Sequence, residues 1–142
     1  MSDVIVLSVS YDGTDLSGFA KQPDCDTVQG RIDAALETIL RTPVETVGAG
    51  RTDAGVHALG QVVTYKATGT EPDTQAFLRS LNAFCGPEVI VTGIRRAAPG
   101  FSARFSAVGR EYRYRIVPGP VAPLFLKRYA WWTPKALDLR AM

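Results

Sequence analysis

Apolar side chains recur along the chain at the two spacings that distinguish strands from helices. Residues 4–11 alternate, and the alternation puts Ile5, Leu7, Val9 and Tyr11 on one face of a predicted strand. Two longer stretches with apolar residues three or four positions apart predict helices. In chain order the pattern predicts strand 4–11, a first helix, strands 44–47 and 62–65, a second helix and strand 89–94.

The first helix has signals at both ends. Asp26 is placed to cap its first turn, with the Gln29 side chain reaching back as in a capping box. The pair Thr42-Pro43 ends the helix, because proline cannot continue it. Its predicted buried stripe consists of Val28, Ile32, Leu36, Ile39 and Leu40.

The second helix is marked in the same way. Asp73 or Thr74 is its predicted cap, and Gly86-Pro87 ends it with the glycine-then-proline order common after helices. Its predicted buried stripe consists of Phe77, Leu78, Leu81 and Phe84.

The element order is strand-helix-strand-strand-helix-strand, with a further strand predicted at 110–117. The first six elements match the split βαβ, ferredoxin-like arrangement, in which both helices cover one face of a mostly antiparallel sheet. We therefore predict an α+β, ferredoxin-like fold with one extra strand.

The end of the chain has the pattern of an unfinished domain. Prolines at 118, 120 and 123 predict a stiff linker. Thr133 and Pro134 are placed to begin a helix, but barely two turns follow, and a helix that short is marginal in water. We therefore expect the N-terminal half of a longer protein. The predicted domains are an α+β domain at 1–117 and, at 118–142, a linker with the truncated start of a second domain.

Composition indicates a cytoplasmic globular protein with no membrane partner. The chain is 46% hydrophobic and 21% charged, no apolar run approaches the ~20 residues of a membrane span, and Met-Ser-Asp at the start lacks signal-peptide features. Cys25 and Cys85 are the only cysteines, with no other cysteine or histidine at metal-ligand spacing. We expect two reduced thiols rather than a zinc site or a disulfide.

The net charge of +2 conceals a strong asymmetry along the chain. Residues 1–94 contain 6 Lys or Arg against 12 Asp or Glu, whereas residues 95–128 contain 8 against 1. A segment this basic is typical of a polyanion-binding surface, although it is also compatible with a solvated face that balances the acidic part. The sheet face that the helices leave open is available either to RNA or to a second layer of structure.

The stretch Gly48–Gln61 concentrates the residues capable of chemistry. It contains four glycines together with Arg51, Asp53 and the single histidine, His57. Glycine allows positive φ and close approach of a ligand, so a glycine-dense loop with these polar residues indicates a binding or catalytic site. The alternative interpretation is a connection rich in turn-forming residues.

Several site types do not fit this loop. Asp53 stands where a dinucleotide fingerprint needs its later glycine, and neither a Walker phosphate loop nor a nucleophile elbow is present. Asp53 and His57 are too few to form a metal site, and His57 is better explained as a hydrogen-bonding residue. Ordinary glycoside hydrolysis needs two carboxylates. One is enough when a base is detached from its sugar and reattached through another atom.

The motif Gly50-Arg51-Thr52-Asp53-Ala54-Gly55-Val56-His57 resembles the signature of the TruA family of tRNA pseudouridine synthases. The likeness extends over essentially the whole chain. In the family's order, the other matching motifs are Tyr11-Asp12-Gly13-Thr14, Gly18-Phe19, Val28-Gln29, Gly60-Gln61-Val62-Val63, Phe101-Ser102-Ala103-Arg104-Phe105-Ser106-Ala107 and Arg110-Glu111-Tyr112-Arg113-Tyr114.

The resemblance implies an isomerase that converts uridine to pseudouridine at positions 38, 39 and 40 of the tRNA anticodon arm, without cofactor or metal. It implies that Asp53 is catalytic, either as a nucleophile at ribose C1′ or as a base that removes a ribose proton. Tyr112 would stack on the uracil and help to deprotonate C5. Arg51 would fill the space left by the flipped nucleotide, and Arg104 would contact RNA.

The residues themselves leave two interpretations of Tyr112 and Tyr114. A tyrosine ring can be a stacking platform for a base, or it can pack across strands in a core. We assign stacking to Tyr112 and packing to Tyr114. The family's second half provides a basic partner for the aspartate, an apolar wall for the uracil and much of the dimer contact. We therefore expect the full-length protein to be a homodimer and these 142 residues alone to be inactive.

Two other classes of protein remain as alternatives. A ferredoxin-like sheet with aromatic and arginine residues is also the layout of a non-catalytic, RRM-like RNA-binding module. A metal-dependent nuclease or phosphatase that uses Asp53 and His57 is the second alternative. An Asp53 variant that loses activity but still binds tRNA would exclude the RNA-binding module. Activity that survives EDTA would exclude the metal-dependent enzyme.

Overall fold

The computed structural model describes residues 2–142. They divide into two compact units, of which the first extends to Val108 and the second is Gly109–Met142. The domain division predicted after Val117 stays a prediction. The first unit contains β1 (Val4–Tyr11), α1 (Val28–Leu40), β2 (Val47–Gly48), β3 (Ala58–Lys66), α2 (Thr74–Cys85) and β4 (Val89–Ala97).

These six elements confirm the predicted α+β, ferredoxin-like fold. The four strands are antiparallel neighbours in the order β2-β3-β1-β4. Residues of α1 and α2 pack with one face of the sheet in a single apolar cluster. Of the helices in residues 2–142, neither is long and apolar enough to cross a membrane.

The central strand β1 organises this unit. It pairs with β3 on one side and with β4 on the other, and Tyr11 at its end lies opposite Ala58 and Val89. The alternate residues Ile5, Leu7 and Val9 are at most 2% exposed and face the helices, as the alternation predicted. Burial of such side chains contributes about 1.5–3 kcal/mol each relative to exposure.

The capping box predicted for α1 is wrong. Thr27 is the cap, and its Oγ1 accepts a hydrogen bond from the Gly30 N–H at 3.1 Å. The Asp26 carboxylate is instead bound by the Arg31 guanidinium. Gln29 does not reach back to the cap, because its side chain bonds the Lys21 N–H and two oxygens of Thr46. The Asp26 carboxylate, which was expected to cap α1, is therefore bound by Arg31 instead.

The start and end of α2 agree with the prediction, but its buried stripe differs. Asp73 is the cap, and its Oδ1 accepts from the N–H groups of Gln75 and Ala76. The buried residues Phe77, Leu81 and Cys85 follow each other at intervals of four. Phe84 lies off that row and is 57% exposed, so its predicted burial is wrong.

Part of the other sheet face is covered by the chain itself. Val6 points away from the helices, as does its β3 partner Thr64, yet Val6 is only 1% exposed. Ala103, in the segment after β4, is also buried, and its N–H donates to Thr64 Oγ1 at 3.2 Å. This segment therefore covers part of the sheet face that was predicted to be free of helices.

The second unit contains a two-stranded parallel sheet of β5 (Ile116–Pro118) and β6 (Trp131–Thr133). The strand predicted at 110–117 is therefore wrong except at its last two residues. Tyr112 and Tyr114 lie before β5 and are 67% and 90% exposed, so the packing role predicted for Tyr114 is also wrong. Alternation of aromatic and basic residues does not specify a strand unless one face finds a partner to pack against.

The helix predicted after Thr133 does not form. Thr133 ends β6, and its Oγ1 accepts from the Lys135 N–H at 3.3 Å. Residues 134–142 contain bends and turns, including one closed by the Ala141 N–H and the Asp138 carbonyl. So short an apolar stripe gives a helix too little burial to offset its cost of nucleation.

Arg31 connects α1 to both the segment before it and the segment before β4. Its guanidinium lies 2.6 Å from Asp26 Oδ2 and 2.7 Å from Glu88 Oε2, and it also donates to the Cys85 carbonyl. The hydrogen bond from Arg31 lowers the pKa of Asp26 and that of Glu88, and the two carboxylates raise the pKa of Arg31. Both pairs are partly exposed, so each contributes modestly.

We predict that Arg31→Gln lowers the Tm at pH 7 by roughly 2–5 °C. The ordinary pKa values of Asp26 and Glu88 are 3.8 and 4.5, and pairing lowers both. The stability from these pairs is therefore fully present above pH 4.5 and is lost as the pH falls through the lowered values. The Tm difference between variant and wild type should shrink towards pH 2, and thermal unfolding across this range measures it.

Arg79→Gln is the matched control, because Arg79 lies on α2, is exposed and makes no ion pair within residues 2–142. It should change the Tm little at any pH. If Arg31→Gln lowers the Tm by the same amount at pH 7 and at pH 2, the Arg31 ion pairs are not the source of the lost stability.

Candidate active site

The loop between β2 and β3 contains Arg51, Asp53 and His57, as the sequence predicted. Its limits differ from the prediction, because β2 ends at Gly48 and β3 already begins at Ala58. The early start of β3 is possible because it keeps pairing with β1 through a register shift near the end of that strand. The loop is therefore residues 49–57, and we call it the Asp53 loop.

Backbone hydrogen bonds hold the Asp53 loop on both sides of the aspartate. The Phe19 N–H donates to the Thr52 carbonyl at 3.0 Å, and the Val56 N–H donates to the Asp53 carbonyl at 3.1 Å. The second bond closes a turn whose third residue, Gly55, has a φ of 81°. Turns of this type need positive φ at that position, which explains a glycine there.

Two glycines before α1 allow the loop backbone to approach closely. A Cβ on Gly13 would overlap the Val56 carbonyl oxygen. A Cβ on Gly18, which has a φ of 88°, would lie 3.0 Å from the Thr52 carbonyl oxygen. The Tyr11-Asp12-Gly13-Thr14 and Gly18-Phe19 motifs are therefore direct neighbours of the Asp53 loop, and their glycines are needed for packing against it.

Two buried polar side chains also bind the loop. The Tyr11 and Thr52 hydroxyls are hydrogen-bonded at 2.7 Å, and Gln61 Nε2 donates to the Gly50 carbonyl at 2.9 Å. Tyr11 is 4% exposed and Gln61 8% exposed. Sequence patterns predict no site role for these two residues, although both lie within motifs that carry the family resemblance.

His57 is a hydrogen-bonding residue of the loop. Its Nδ1 accepts from the Gly13 N–H at 3.0 Å, and the same nitrogen lies 3.2 Å from Asp12 Oδ1. One nitrogen cannot accept from Gly13 and also donate to Asp12. We assign the first contact, in which Nδ1 accepts, because the Thr14 N–H and hydroxyl already donate to the same Asp12 oxygen.

The side chain of Asp53, unlike its backbone, is not held by hydrogen bonds within residues 2–142. It is exposed, and its carboxylate has no hydrogen-bond or ion-pair partner within residues 2–142. Arg51 is also exposed and makes no ion pair with Asp53. The loop therefore displays one carboxylate and one guanidinium to a ligand, on a backbone that is fixed. In residues 2–142, no three His, Cys, Asp or Glu side chains cluster as possible metal ligands.

The other two predicted site residues lie elsewhere. Arg104 belongs to the first unit, in the segment after β4, and its guanidinium lies 5.3 Å from the centroid of the Phe105 ring. Tyr112 belongs to the second unit and is exposed. The structure thus places Arg51 and Asp53 in one loop, whereas the roles of all four residues, and the position of Tyr112 beside Asp53, stay predictions.

Fold and site together define a ferredoxin-like α+β domain that presents a single carboxylate from a clamped, glycine-rich loop. A family model described as tRNA pseudouridine synthase matches residues 7–92, a range that includes this loop. The chain belongs to the tRNA pseudouridine synthase family.

Individual relatives agree with this assignment. The chain is 43% identical over 137 residues to tRNA pseudouridine synthase A of Neisseria gonorrhoeae (strain NCCP11945), which covers 96% of this chain and 51% of that protein. It is 39% identical over 134 residues to the protein of the same name from Thermotoga sp. (strain RQ2), which covers 94% of this chain and 55% of that protein. The chain thus spans about half the length of the curated relatives it matches.

We predict that Gly13→Ala destabilises the first unit by about 1–3 kcal/mol, because its Cβ would overlap the Val56 carbonyl oxygen and the loop would have to move. Urea unfolding at equilibrium measures the loss. Gly60→Ala is the control, since Gly60 lies in β3 and, among residues 2–142, no atom other than those of its chain neighbours lies within 4 Å of its Cβ position. It should stay within about 0.5 kcal/mol of wild type. Equal stability of the two variants would show that close packing at Gly13 is unimportant.

Proposed function

We propose that this chain is the catalytic-loop part of a tRNA pseudouridine synthase, an isomerase that converts uridine to pseudouridine in tRNA. The observation that carries the proposal is the Asp53 carboxylate, which is exposed and unpartnered within residues 2–142 while the backbone on both sides of it is hydrogen-bonded. Membership of the family supplies the reaction, and the loop supplies a carboxylate with the freedom to react.

The chemistry explains why one carboxylate is sufficient. The bond between ribose C1′ and uracil N1 breaks, the uracil rotates, and a bond forms between C1′ and C5. The proton on C5 is lost and N1 gains one, so the product is an isomer of the substrate and no leaving group departs. Asp53 acts either as the nucleophile at C1′ or as the base that removes a ribose proton. A cofactor is not required by this balance.

The remaining assignments come from the family resemblance. We propose that Arg51 occupies the space of the flipped nucleotide, that Tyr112 stacks on the uracil and helps to deprotonate C5, and that Arg104 contacts RNA. The exposure of all four side chains is compatible with these roles. The proposed substrate is the tRNA anticodon arm at positions 38, 39 and 40, and the proposed full-length enzyme is a cytoplasmic homodimer.

A non-catalytic, RRM-like RNA-binding module is the weaker alternative. Such modules stack bases on aromatic side chains of the sheet face that the helices leave open. On that face the central strand β1 carries Val4, Val6, Ser8 and Ser10, none of which is aromatic. Moreover, the segment around Ala103 covers part of the face. The RRM-like mode of binding therefore lacks its stacking platform here.

We predict that Asp53→Asn in the full-length protein abolishes pseudouridine formation, with a loss of at least about 10³-fold, because the amide can neither attack C1′ nor accept a proton. Binding of tRNA should change little, since the carboxylate contributes a repulsive charge rather than a contact to phosphate. Chemical mapping of pseudouridine in tRNA measures the activity, and filter binding measures the affinity.

Asp24→Asn is the matched control. Asp24 is exposed, makes no hydrogen bond or ion pair within residues 2–142, and has a φ of 56° that asparagine adopts readily. Its activity should equal that of wild type. If Asp53→Asn modifies tRNA at the wild-type rate, Asp53 is not the catalyst. If wild type binds tRNA but modifies no uridine, the RNA-binding module becomes the better interpretation.

We also predict that residues 1–142 alone form no measurable pseudouridine. The curated relatives are about twice as long, and a site with a single wall can neither exclude water nor enclose a flipped base. The comparison is between this chain and the full-length protein at equal concentration on the same tRNA. Normal turnover by the 142-residue chain would disprove the requirement for further residues.

A further inference from the structure

We propose that Tyr11 is a positioning residue for the reaction, because its buried hydroxyl fixes Thr52 and thereby the backbone that carries Asp53. The proposal rests on the function proposed above for Asp53. It assigns Tyr11 no contact with substrate. Its effect passes through a single hydrogen bond to the residue that directly precedes the aspartate.

The hydroxyl of Tyr11 is carried by the central strand of the sheet. Tyr11 is the last residue of β1, which is paired on both sides, and it is 4% exposed. Its ring lies against Phe19, with 6.4 Å between the ring centroids. From this fixed position the hydroxyl is 2.7 Å from Thr52 Oγ1, across 41 residues of sequence. Such a short bond, from a buried and well-packed tyrosine to the half-buried Thr52 hydroxyl, restricts the position of Thr52.

The residues before Asp53 are held from three different elements. Tyr11 of β1 binds the Thr52 side chain, Phe19 of the segment before α1 binds the Thr52 carbonyl, and Gln61 of β3 binds the Gly50 carbonyl. Gln61 Nε2 also lies 3.5 Å from the Tyr11 oxygen, which connects two of these contacts. A reactive group must be held within a fraction of an ångström of its productive position. These contacts provide that support without using the carboxylate itself.

Tyr65 shows that burial of a tyrosine in this core does not require such a bond. It lies at the far end of the β1–β3 pair, opposite Ile5, and is 2% exposed. Its hydroxyl makes no hydrogen bond to the Asp53 loop, and the polar side chain that acts on it is Glu71. Burial, followed by the charge of Glu71 and the interaction of its carboxylate with the hydroxyl, raises the pKa of Tyr65. Tyr65 is thus a buried tyrosine of the same sheet face that does not contact the Asp53 loop.

The test is Tyr11→Phe in the full-length protein, which removes the hydroxyl and keeps the ring. We expect kcat for pseudouridine formation to fall about 5- to 20-fold, with KM for tRNA unchanged within about twofold, since one hydrogen bond that orients the catalyst is lost. Thr52→Val should have the same effect. The double variant should lose no more than either single variant, because both remove the same bond. Tyr65→Phe, the matched control, should keep wild-type kcat.

A second measurement follows the loop directly. Amide hydrogen exchange of Val56, whose N–H bonds the Asp53 carbonyl, and of Phe19, whose N–H bonds the Thr52 carbonyl, reports opening of the loop. In Tyr11→Phe we expect both amides to exchange about 5- to 20-fold faster than in wild type. In Tyr65→Phe they should exchange at the wild-type rate, even if the variant is slightly less stable overall.

The outcomes separate this proposal from the one on which it rests. Positioning by Tyr11 is supported if Tyr11→Phe exchanges these amides faster and has a lower kcat, and if the double variant loses no more kcat than either single variant. Unchanged exchange overturns it whatever the activity, and so does faster exchange with an unchanged kcat. If Asp53→Asn retains full activity, the proposed function has failed, and a lower kcat in Tyr11→Phe then contradicts an action through Asp53.

Discussion

The close approach of the Asp53 loop to the segment before α1 is the constraint on which the candidate site depends. Gly13 and Gly18 lie so near the loop backbone that a Cβ on either would meet a carbonyl oxygen. This proximity allows the Phe19 N–H and the Tyr11 hydroxyl to bind Thr52. Without the two glycines the segments would be forced apart, and the bonds that fix the aspartate would be lost together. Packing and catalytic geometry are therefore coupled here.

The strand β1 serves both the core and the site. Its alternate residues fill the apolar cluster beneath the helices, and the same alternation brings Tyr11 to the point where the strand meets the Asp53 loop. A strand paired on both sides moves little, so it is a suitable base for a catalytic support. Fold stability and site geometry share this strand, and changes to its core residues should affect both.

The predictable parts of the fold are those that local sequence determines. Alternation and helical spacing predicted the order of the six elements of the first unit, and Asp73 capped α2 as its position indicated. The strand predicted at 44–47 is wrong except at Val47, because β2 is only Val47–Gly48. The errors came from competition between partners. Asp26 was a plausible cap until Arg31, five residues later, bound its carboxylate, and Thr27 replaced it. The strand predicted at 110–117 had an alternating pattern but no burial to support it. Such choices depend on tertiary contacts that a pattern does not contain.

The site was predictable only in part, for a related physical reason. A glycine-rich motif fixes residues that are neighbours in sequence, so Arg51 and Asp53 occupy one loop as expected. The residues that support the loop lie outside it in sequence, and Tyr11 is 41 residues from its partner Thr52. A pattern in a single sequence carries no signal for such a pair. They are also what makes the arrangement useful. A carboxylate with partners of its own would have to break them in order to react, whereas one held through its neighbours can meet a ribose at no such cost.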